Sequence, residues 1–348
     1  MFASIPTAVI GLVFIAAAVA VWLAGIRLAD STDQISDRLD IGQAIGGMVI
    51  LAIATNLPEL AISVSAALSG NAEVAVANIL GGIAIQTVVL VIIDAAVRRR
   101  SGPLTYRANS LVLGIEGLFV VGMLAAVLMA TQLPESAAVG RVGFGSAIIA
   151  ALWLAGLYVV RRAQNGMPWT APEPDAPDPV PKKLDDGKGR KSLPRSIAVF
   201  VVAALVTLAG GWMLERSGNA LSEEFGLSGV LFGATFLALA TSLPEISTGI
   251  AAARAGGDRL AISDIFGGNA FLPVLFLLIA LVGGRDPLSG AEPSDLYLTA
   301  LGMVLTVIFV GGLIFRSQRR LLGVGRDSVL VAFVYVVGLV GLIAIAME

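Results

Sequence analysis

Two glutamates directly follow a proline inside long apolar stretches: Ala52-Ile53-Ala54-Thr55-Asn56-Leu57-Pro58-Glu59 and, further along, Ala238-Leu239-Ala240-Thr241-Ser242-Leu243-Pro244-Glu245. A proline within a helix withholds an amide donor and crowds the carbonyl four residues earlier, here those of Ala54 and Ala240. Carbonyls released at membrane depth need a partner, and a polar cavity or a bound cation supplies one. A carboxylate in the next position adds charge where insertion into a bilayer costs about 2.5–3.5 kcal/mol per charged residue. That cost, met twice at matched positions, points to a ligand. Facing each other, Glu59 and Glu245 offer four carboxylate oxygens, and the carbonyls of Thr55 and Thr241 add to them. A set of about six to eight hard oxygen donors suits Ca²⁺ better than Mg²⁺, which keeps its waters and demands octahedral regularity. The alternative, protonated or hydrogen-bonded glutamates that only fix helix packing, leaves the doubled Pro-Glu pattern unexplained.

A second pattern accompanies each glutamate: Asn78-Ile79-Leu80-Gly81-Gly82 and Asp264-Ile265-Phe266-Gly267-Gly268. Positions four apart share a helix face, so Asn78, Gly82 and Gln86 line one helix, and Asp264, Gly268 and Leu272 its counterpart. Paired glycines let backbones approach, and packing alone accounts for them. Asp264 is an acid at membrane depth and reads as functional. It lies eight residues before Leu272; that is about 12 Å along a helix, which places Asp264 on an access path rather than at an ion.

The elements that carry these groups must lie in lipid. Of the 348 residues 57% are hydrophobic and 14% charged, against roughly 25% charged in soluble domains. Apolar stretches of about 20 residues, enough to cross a bilayer, recur along the chain. They predict an all-α membrane protein of ten transmembrane helices, near 5–27, 41–69, 72–97, 108–131, 139–161, 196–215, 225–254, 258–283, 294–316 and 326–347. Nothing basic precedes the first span, which argues against a signal peptide. The spans lack the short alternating pattern of a β-barrel. With no cysteine and no histidine, thiolate and imidazole metal sites, disulfides and His-dependent nucleophile systems are excluded. No nucleophile-base constellation suggests an enzyme, and no cofactor is expected. A net charge of −2 gives no footprint for nucleic acid; the expected partners are inorganic cations and the lipid bilayer.

Assigning Lys and Arg to alternate loops places twenty on one face and only Arg141, Arg216 and Arg285 on the other. The positive-inside rule makes the basic face cytoplasmic, both termini external and the location the inner membrane. Residues 163–194 contain seven prolines beside mixed charge and read as a disordered cytosolic linker. The Gly187-Lys188-Gly189-Arg190-Lys191-Ser192 run lacks the spacing and context of a phosphate loop. The linker separates residues 1–162 from 195–348, five spans each. Shifting 47–84 by 186 onto 233–270 matches sixteen of thirty-eight residues, an internal repeat. Because five is odd, the copies enter the membrane from opposite sides, the inverted-topology arrangement of secondary transporters.

The Thr-Asn-Leu-Pro-Glu and Thr-Ser-Leu-Pro-Glu segments, each followed by a Gly-Gly-containing helix, resemble the two α-repeats of the cation/calcium antiporter superfamily, most nearly its prokaryotic sodium/calcium exchangers. The resemblance covers about 46–90 and 232–283 in motif and the whole chain in plan. It implies exchange of Ca²⁺ for Na⁺ by alternating access, with Glu59 and Glu245 binding both ions. It also implies ligands from the backbone of Ala52, Thr55, Ala238 and Thr241, and from Asn56, Ser242 and Gln86. The pattern departs from the family at Gly82 and Gly268, where serine is usual, and at Leu272, which cannot ligate. These departures weaken the implied sodium sites and leave a proton-coupled divalent exchanger as an alternative. A non-transporting cation sensor or scaffold of the same fold is another. Protease added to right-side-out vesicles is expected to spare the 163–194 linker, and cleavage there from outside would reverse the orientation.

Overall fold

The computed structural model describes residues 5–39, 53–98, 102–134, 136–139, 142–164, 166 and 193–346. In the first half these form α1 (Thr7–Leu39), α2 (Leu57–Ser69), α3 (Ala72–Ala96), the short α4 (Leu104–Ala108) and α5 (Leu111–Ala130). A hairpin of β1 (Ala138–Val139) and β2 (Val142–Gly143) leads into α6 (Phe144–Gln164). The second half holds α7 (Leu193–Phe225), α8 (Gly229–Thr241), α9 (Leu243–Ala255), α10 (Asp258–Gly283) and α11 (Pro293–Phe315). A second hairpin, β3 (Arg320–Leu321) and β4 (Val324–Gly325), precedes α12 (Arg326–Ala346). Among the described residues eight helices are long and apolar enough to cross a bilayer, or nine if α8 and α9, bent by 42°, form one span. The chain is a multi-pass membrane protein. Of the expected spans, 41–69 is described only from residue 53, and the 163–194 linker lies almost wholly outside the described residues.

Two helices run past their expected ends. α1 continues to Leu39 and α7 to Phe225 because no proline interrupts their polar turns; Gly226, at φ 63°, follows α7. Several helices of the first half match helices of the second in length. α1 and α7 have 33 residues each, α2 and α9 have 13, and α6 and α12 have 21. α2 and α9 also begin alike. Asn56 (φ −88°, ψ 15°) and Ser242 (φ −82°, ψ 0°) leave helical geometry just before them, so that each proline falls in a first turn, where its missing N–H costs nothing. Both helices close through a left-handed glycine, Gly70 or Gly256. The next amide, of Asn71 or Gly257, then reaches Ala66 O or Ala252 O at 2.9 Å.

α3 is the central helix, with 83% of its apolar window buried against 28% for α7 and 17% for α12. One large apolar cluster joins α3, α5, α10, α11 and α12 through Leu90, Val120, Phe266, Phe309 and Val331. α1 and α7 pack along each other at its margin, with smaller clusters around Val21 with Leu214 and Leu28 with Ala203. Leu12, Leu205, Phe333 and Val340 stay exposed, which water would penalise and lipid does not.

Carboxylates tie the hairpins down, one buried and one half-buried. Asp94, at the end of α3, accepts from Leu104 N at 2.8 Å, Gly325 N at 2.8 Å and Ser328 Oγ at 2.9 Å. At the corresponding hairpin of the first half, Asp286 accepts from Ser146 Oγ at 2.8 Å and Leu288 N at 3.2 Å, with Gly143 against its carboxylate. Arg107 grips Asp258 through two 2.9 Å bonds, and Arg259 donates to Ala108 O and Asn109 O, so the segment around α4 is fastened to the start of α10. Charge-assisted bonds of this kind are the strong ones. Asp94→Ala strands three donors and is expected to cost about 2–3 kcal/mol. The check is the thermal midpoint in detergent, which should fall further than for Asp286→Ala.

Candidate cation site

Glu59 and Glu245 are the third residues of α2 and α9, where unpaired helix-terminal amides favour an anion. The proline break therefore does two things at once: it ends the preceding helical segment at membrane depth, and it starts a new helix whose positive end lies at the carboxylate. Glu59 is fully buried and Glu245 nearly so, at 0% and 3% exposure. The two lie within electrostatic reach of each other, and Asp264 of α10 lies within reach of Glu245. Thr241 stands beside Glu59. None of the four glutamate oxygens has a hydrogen-bond partner, nor do the amide atoms of Gln86 and Asn78, Oδ1 of Asn269 or the hydroxyl of Ser63. Each such buried group costs about 1–3 kcal/mol if left unmet, and more when charged. A cation with residual water meets this particular set, which is rich in oxygen acceptors.

The sequence-predicted residues divide as follows. Glu59, Glu245, Thr241, Asn56 and Gln86 are all buried in the interior formed by α2, α3, α8, α9 and α10, while Asp264 is half-buried. Thr55 is buried immediately before the first break. Ala52 lies outside the described residues. Ala238 O already accepts from Ser242 N (3.1 Å), Ser242 Oγ (2.8 Å) and Thr241 Oγ1 (3.1 Å). Those three donors use up its lone pairs, so it has no free capacity for an ion in this conformation. The two hydroxyls that cap it keep their own oxygens available as acceptors. Among the described residues no three acids converge into a cage for a metal ion. Two carboxylates with neutral oxygens suit an ion that must also leave.

The glycine pairs differ in role. A Cβ at Gly81 would strike the backbone of Ala234, in the π-helical turn Gly233–Leu237 of α8, so Gly81 serves close packing. At Gly268 a Cβ would meet Asn56 Nδ2 at 3.1 Å and Gln86 Oε1 at 3.4 Å, whereas at Gly82 it would meet only Leu272 Cδ1, at 3.7 Å. The outer pair α1 and α7 also seats on the breaks through glycine. A Cβ at Gly25 would lie 2.5 Å from Pro244 Cβ, and one at Gly211 3.0 Å from Pro58 O.

Residues that sequence reasoning missed include Asn269, fully buried, whose Nδ2 donates to Ile83 O at 3.5 Å. Its position beside Gly268 was visible, but its counterpart in the first copy is Ile83, so comparison of the copies hid it. Glu215 of α7, buried, accepts from Ser65 Oγ of α2 at 2.7 Å. Nothing in the local sequence singled it out.

Inner membrane protein YrbG of Escherichia coli is 28% identical over 304 residues, covering 86% of this chain and 87% of that protein. Among solved structures, the H⁺/Ca²⁺ exchanger CAX superposes with a TM-score of 0.69 at 14% identity, covering 95% of this chain and 82% of that one. The sodium-calcium exchanger NCX_Mj does so with a TM-score of 0.59 at 17% identity, covering 96% and 99%. At these identities the structural likenesses establish the fold. The description "Sodium/calcium exchanger protein" fits residues 9–162 and 195–344, both sides of the proline-rich segment. Both Pro-Glu breaks, with their buried carboxylates, fall within the matched residues, and the chain belongs to the sodium/calcium exchanger family of cation antiporters.

Proposed function

We propose that the chain exchanges Ca²⁺ for Na⁺ across the inner membrane by alternating access, with Glu59 and Glu245 holding the divalent ion. The observation that carries this is the pair itself: two repeat-related carboxylates, buried at helix starts, within reach of each other and without hydrogen-bond partners. Apposed carboxylates attract a dication more than a monovalent ion. Thr55, Thr241, Asn56, Ser242 and Gln86 complete the proposed ligand set, and Asp264 lines the path to it. The proposed frame is ten spans in two inverted halves, 1–162 and 195–348, with termini outside and 163–194 in the cytosol. Matching helix lengths support it, as does the bond between Asn269 and Ile83, which are related by the 186-residue shift. Contacts between equivalent residues are what a local two-fold axis produces.

A proton-coupled cycle is the second reading, and Leu272 favours it. Several Na⁺ bound together need neutral oxygens to offset dehydration and mutual repulsion. On the Gly82 side Leu272 supplies carbon instead. Two carboxylates balance one dication or two protons equally well, so release by protonation needs no additional ligand.

Glu59→Gln and Glu245→Gln are each expected to abolish ⁴⁵Ca²⁺ uptake into proteoliposomes while leaving the protein inserted and monodisperse; near-wild-type flux in either would remove the assignment. A chain that binds ⁴⁵Ca²⁺ with no flux under any gradient would be the sensor instead. Coupling is read from Ca²⁺ uptake against external Na⁺ at fixed pH, then against pH without Na⁺. We expect a shallow Na⁺ dependence, with a Hill coefficient below about three, and a response to the pH gradient. Steep Na⁺ cooperativity without a pH response would show that three Na⁺ are bound despite Leu272.

A further inference from the structure

We propose that Glu116 of α5 carries protons between the Asp264 side of the cation site and the proposed cytosolic surface. Its route runs behind α10 and is separate from the path of the cation. This rests on the proton-coupled reading.

Glu116 is the sixth residue of α5, about 8 Å along the helix at 1.5 Å per residue, and it is 5% exposed. Its Oε2 has no hydrogen-bond partner. Gln164, the last residue of α6, and Ser263, the sixth of α10, stand beside the carboxylate. Gln164 is exposed, so one amide separates the carboxyl group from solvent. Glu116 also lines a cavity of about 20 Å³. One water requires roughly 10–15 Å³. Phe119, Trp153, Leu157 and Phe266 form the cavity's walls, and Glu116 is its one ionisable group among the described residues. Other ionisable groups on the helices packed against α5 are engaged or turned away. Arg161 and Arg162 of α6 are exposed, and on α10 Asp258 pairs with Arg107 while Arg259 donates to Ala108 O and Asn109 O. Arg316, after α11, lies over the ring of Tyr106. Asp295 of α11 is fifteen residues before Val310, the residue that a Cβ at Gly117 would strike. Asp264 lies on the adjoining face of α10.

Acids at membrane depth mark ion pathways and proton relays. An ionised carboxylate away from water is costly without a countercharge, and binding a proton removes that cost. A metal ion does not suit the place: one carboxylate, one hydroxyl and one water fall short of the roughly six to eight oxygens that Ca²⁺ takes. Packing alone does not call for an acid either, since glutamine would fill the same volume and bond its neighbours with no charge to bury.

α10 holds the two compartments on adjoining faces. Asp264 and Gly268 lie toward the cation site, where Asp264 is within electrostatic reach of Glu245 and a side chain at Gly268 would meet Asn56 and Gln86. Ser263 and Gly267, one residue earlier in each case, lie toward Glu116. A Cβ at Gly267 would meet no atom within 4 Å, so at the paired glycines only helix backbone divides the compartments. A proton leaving the Asp264 side passes to the Ser263 hydroxyl, which gives up its own proton and ends unchanged. A Glu116 oxygen accepts that proton, directly or through the cavity's single water, and the carboxylic acid then releases it to solvent beside Gln164. A hydrated cation does not fit a space for one water, so the two routes stay apart.

The test uses the full-length chain in proteoliposomes. It sets ⁴⁵Ca²⁺ uptake driven by an acidic lumen beside ⁴⁵Ca²⁺/Ca²⁺ exchange at equal pH, which needs no proton. Glu116→Gln keeps the size and the polar contacts but cannot take up the proton. It is expected to slow proton-driven uptake about tenfold or more, with Ca²⁺/Ca²⁺ exchange and the thermal midpoint in detergent near wild type. Glu116→Asp shortens the side chain but keeps the acid, and should transport faster than Glu116→Gln under the same gradient. A group that only packs would give the reverse order, because glutamine is the milder change of shape. That reverse order, an equal loss in both assays, or undiminished proton-driven uptake in Glu116→Gln would overturn the inference and leave wild-type proton coupling standing. Wild-type uptake that ignores the pH gradient would overturn the proton-coupled reading and this route with it.

Discussion

Like charges repel, and a carboxylate taken out of water is costly until something positive answers it. This chain brings two such groups together at the buried starts of α2 and α9, and the rest of the architecture serves that placement. The proline before each glutamate makes the break, the helix start supplies partial positive charge, and Gly70 and Gly256 close the two short helices with bonds to two of the terminal carbonyls of each. Around them α3 and α10 present small residues where backbones must come close and amides where oxygen is needed. The apolar cluster beyond, from Leu90 to Phe309, fixes those helices and excludes the water that would otherwise screen the pair.

Much of this was legible in the residues alone. The Pro-Glu pairs announced a break and a charge at the same depth, and the 186-residue shift announced that the event occurs twice. Apolar runs located the spans because lipid leaves little choice of structure. What escaped were properties of faces meeting at long range. The hydropathy signal ends where α1 and α7 leave the apolar layer, yet both helices continue because nothing breaks them. Asp94 looked like any polar residue at a span end, and its three donors come from residues up to 234 positions away. Leu272 read as a missing ligand, and only the fold shows its methyl lying 3.7 Å from where a side chain at Gly82 would begin. Asn269 fell outside the repeat comparison because its counterpart is isoleucine.

The halves are therefore alike in backbone and unlike in chemistry. Helix lengths, cap geometry and the pairing of Ala138 with Gly143 and of Arg320 with Gly325 recur. The side chains at equivalent depths do not. Under the 186-residue shift Asn78 corresponds to Asp264, Gln86 to Leu272 and Ile83 to Asn269. A repeated backbone with divergent linings leaves each half free to differ in its chemistry while keeping the same geometry.

Gly25 and Gly211 carry a consequence for how sequence change can reach the two glutamates. Both lie on the outer helices α1 and α7, whose other faces carry exposed apolar residues such as Leu12 and Leu205. Yet a single methyl at Gly25 has nowhere to go except into the ring of Pro244, and one at Gly211 presses on Pro58 and Ala61. Each proline is bonded to the glutamate that follows it, so the push arrives at the carboxylate within one peptide unit. The setting of the two carboxylates is therefore open to tuning from the periphery, by mutations that replace neither glutamate and that a survey confined to their immediate neighbours would pass over.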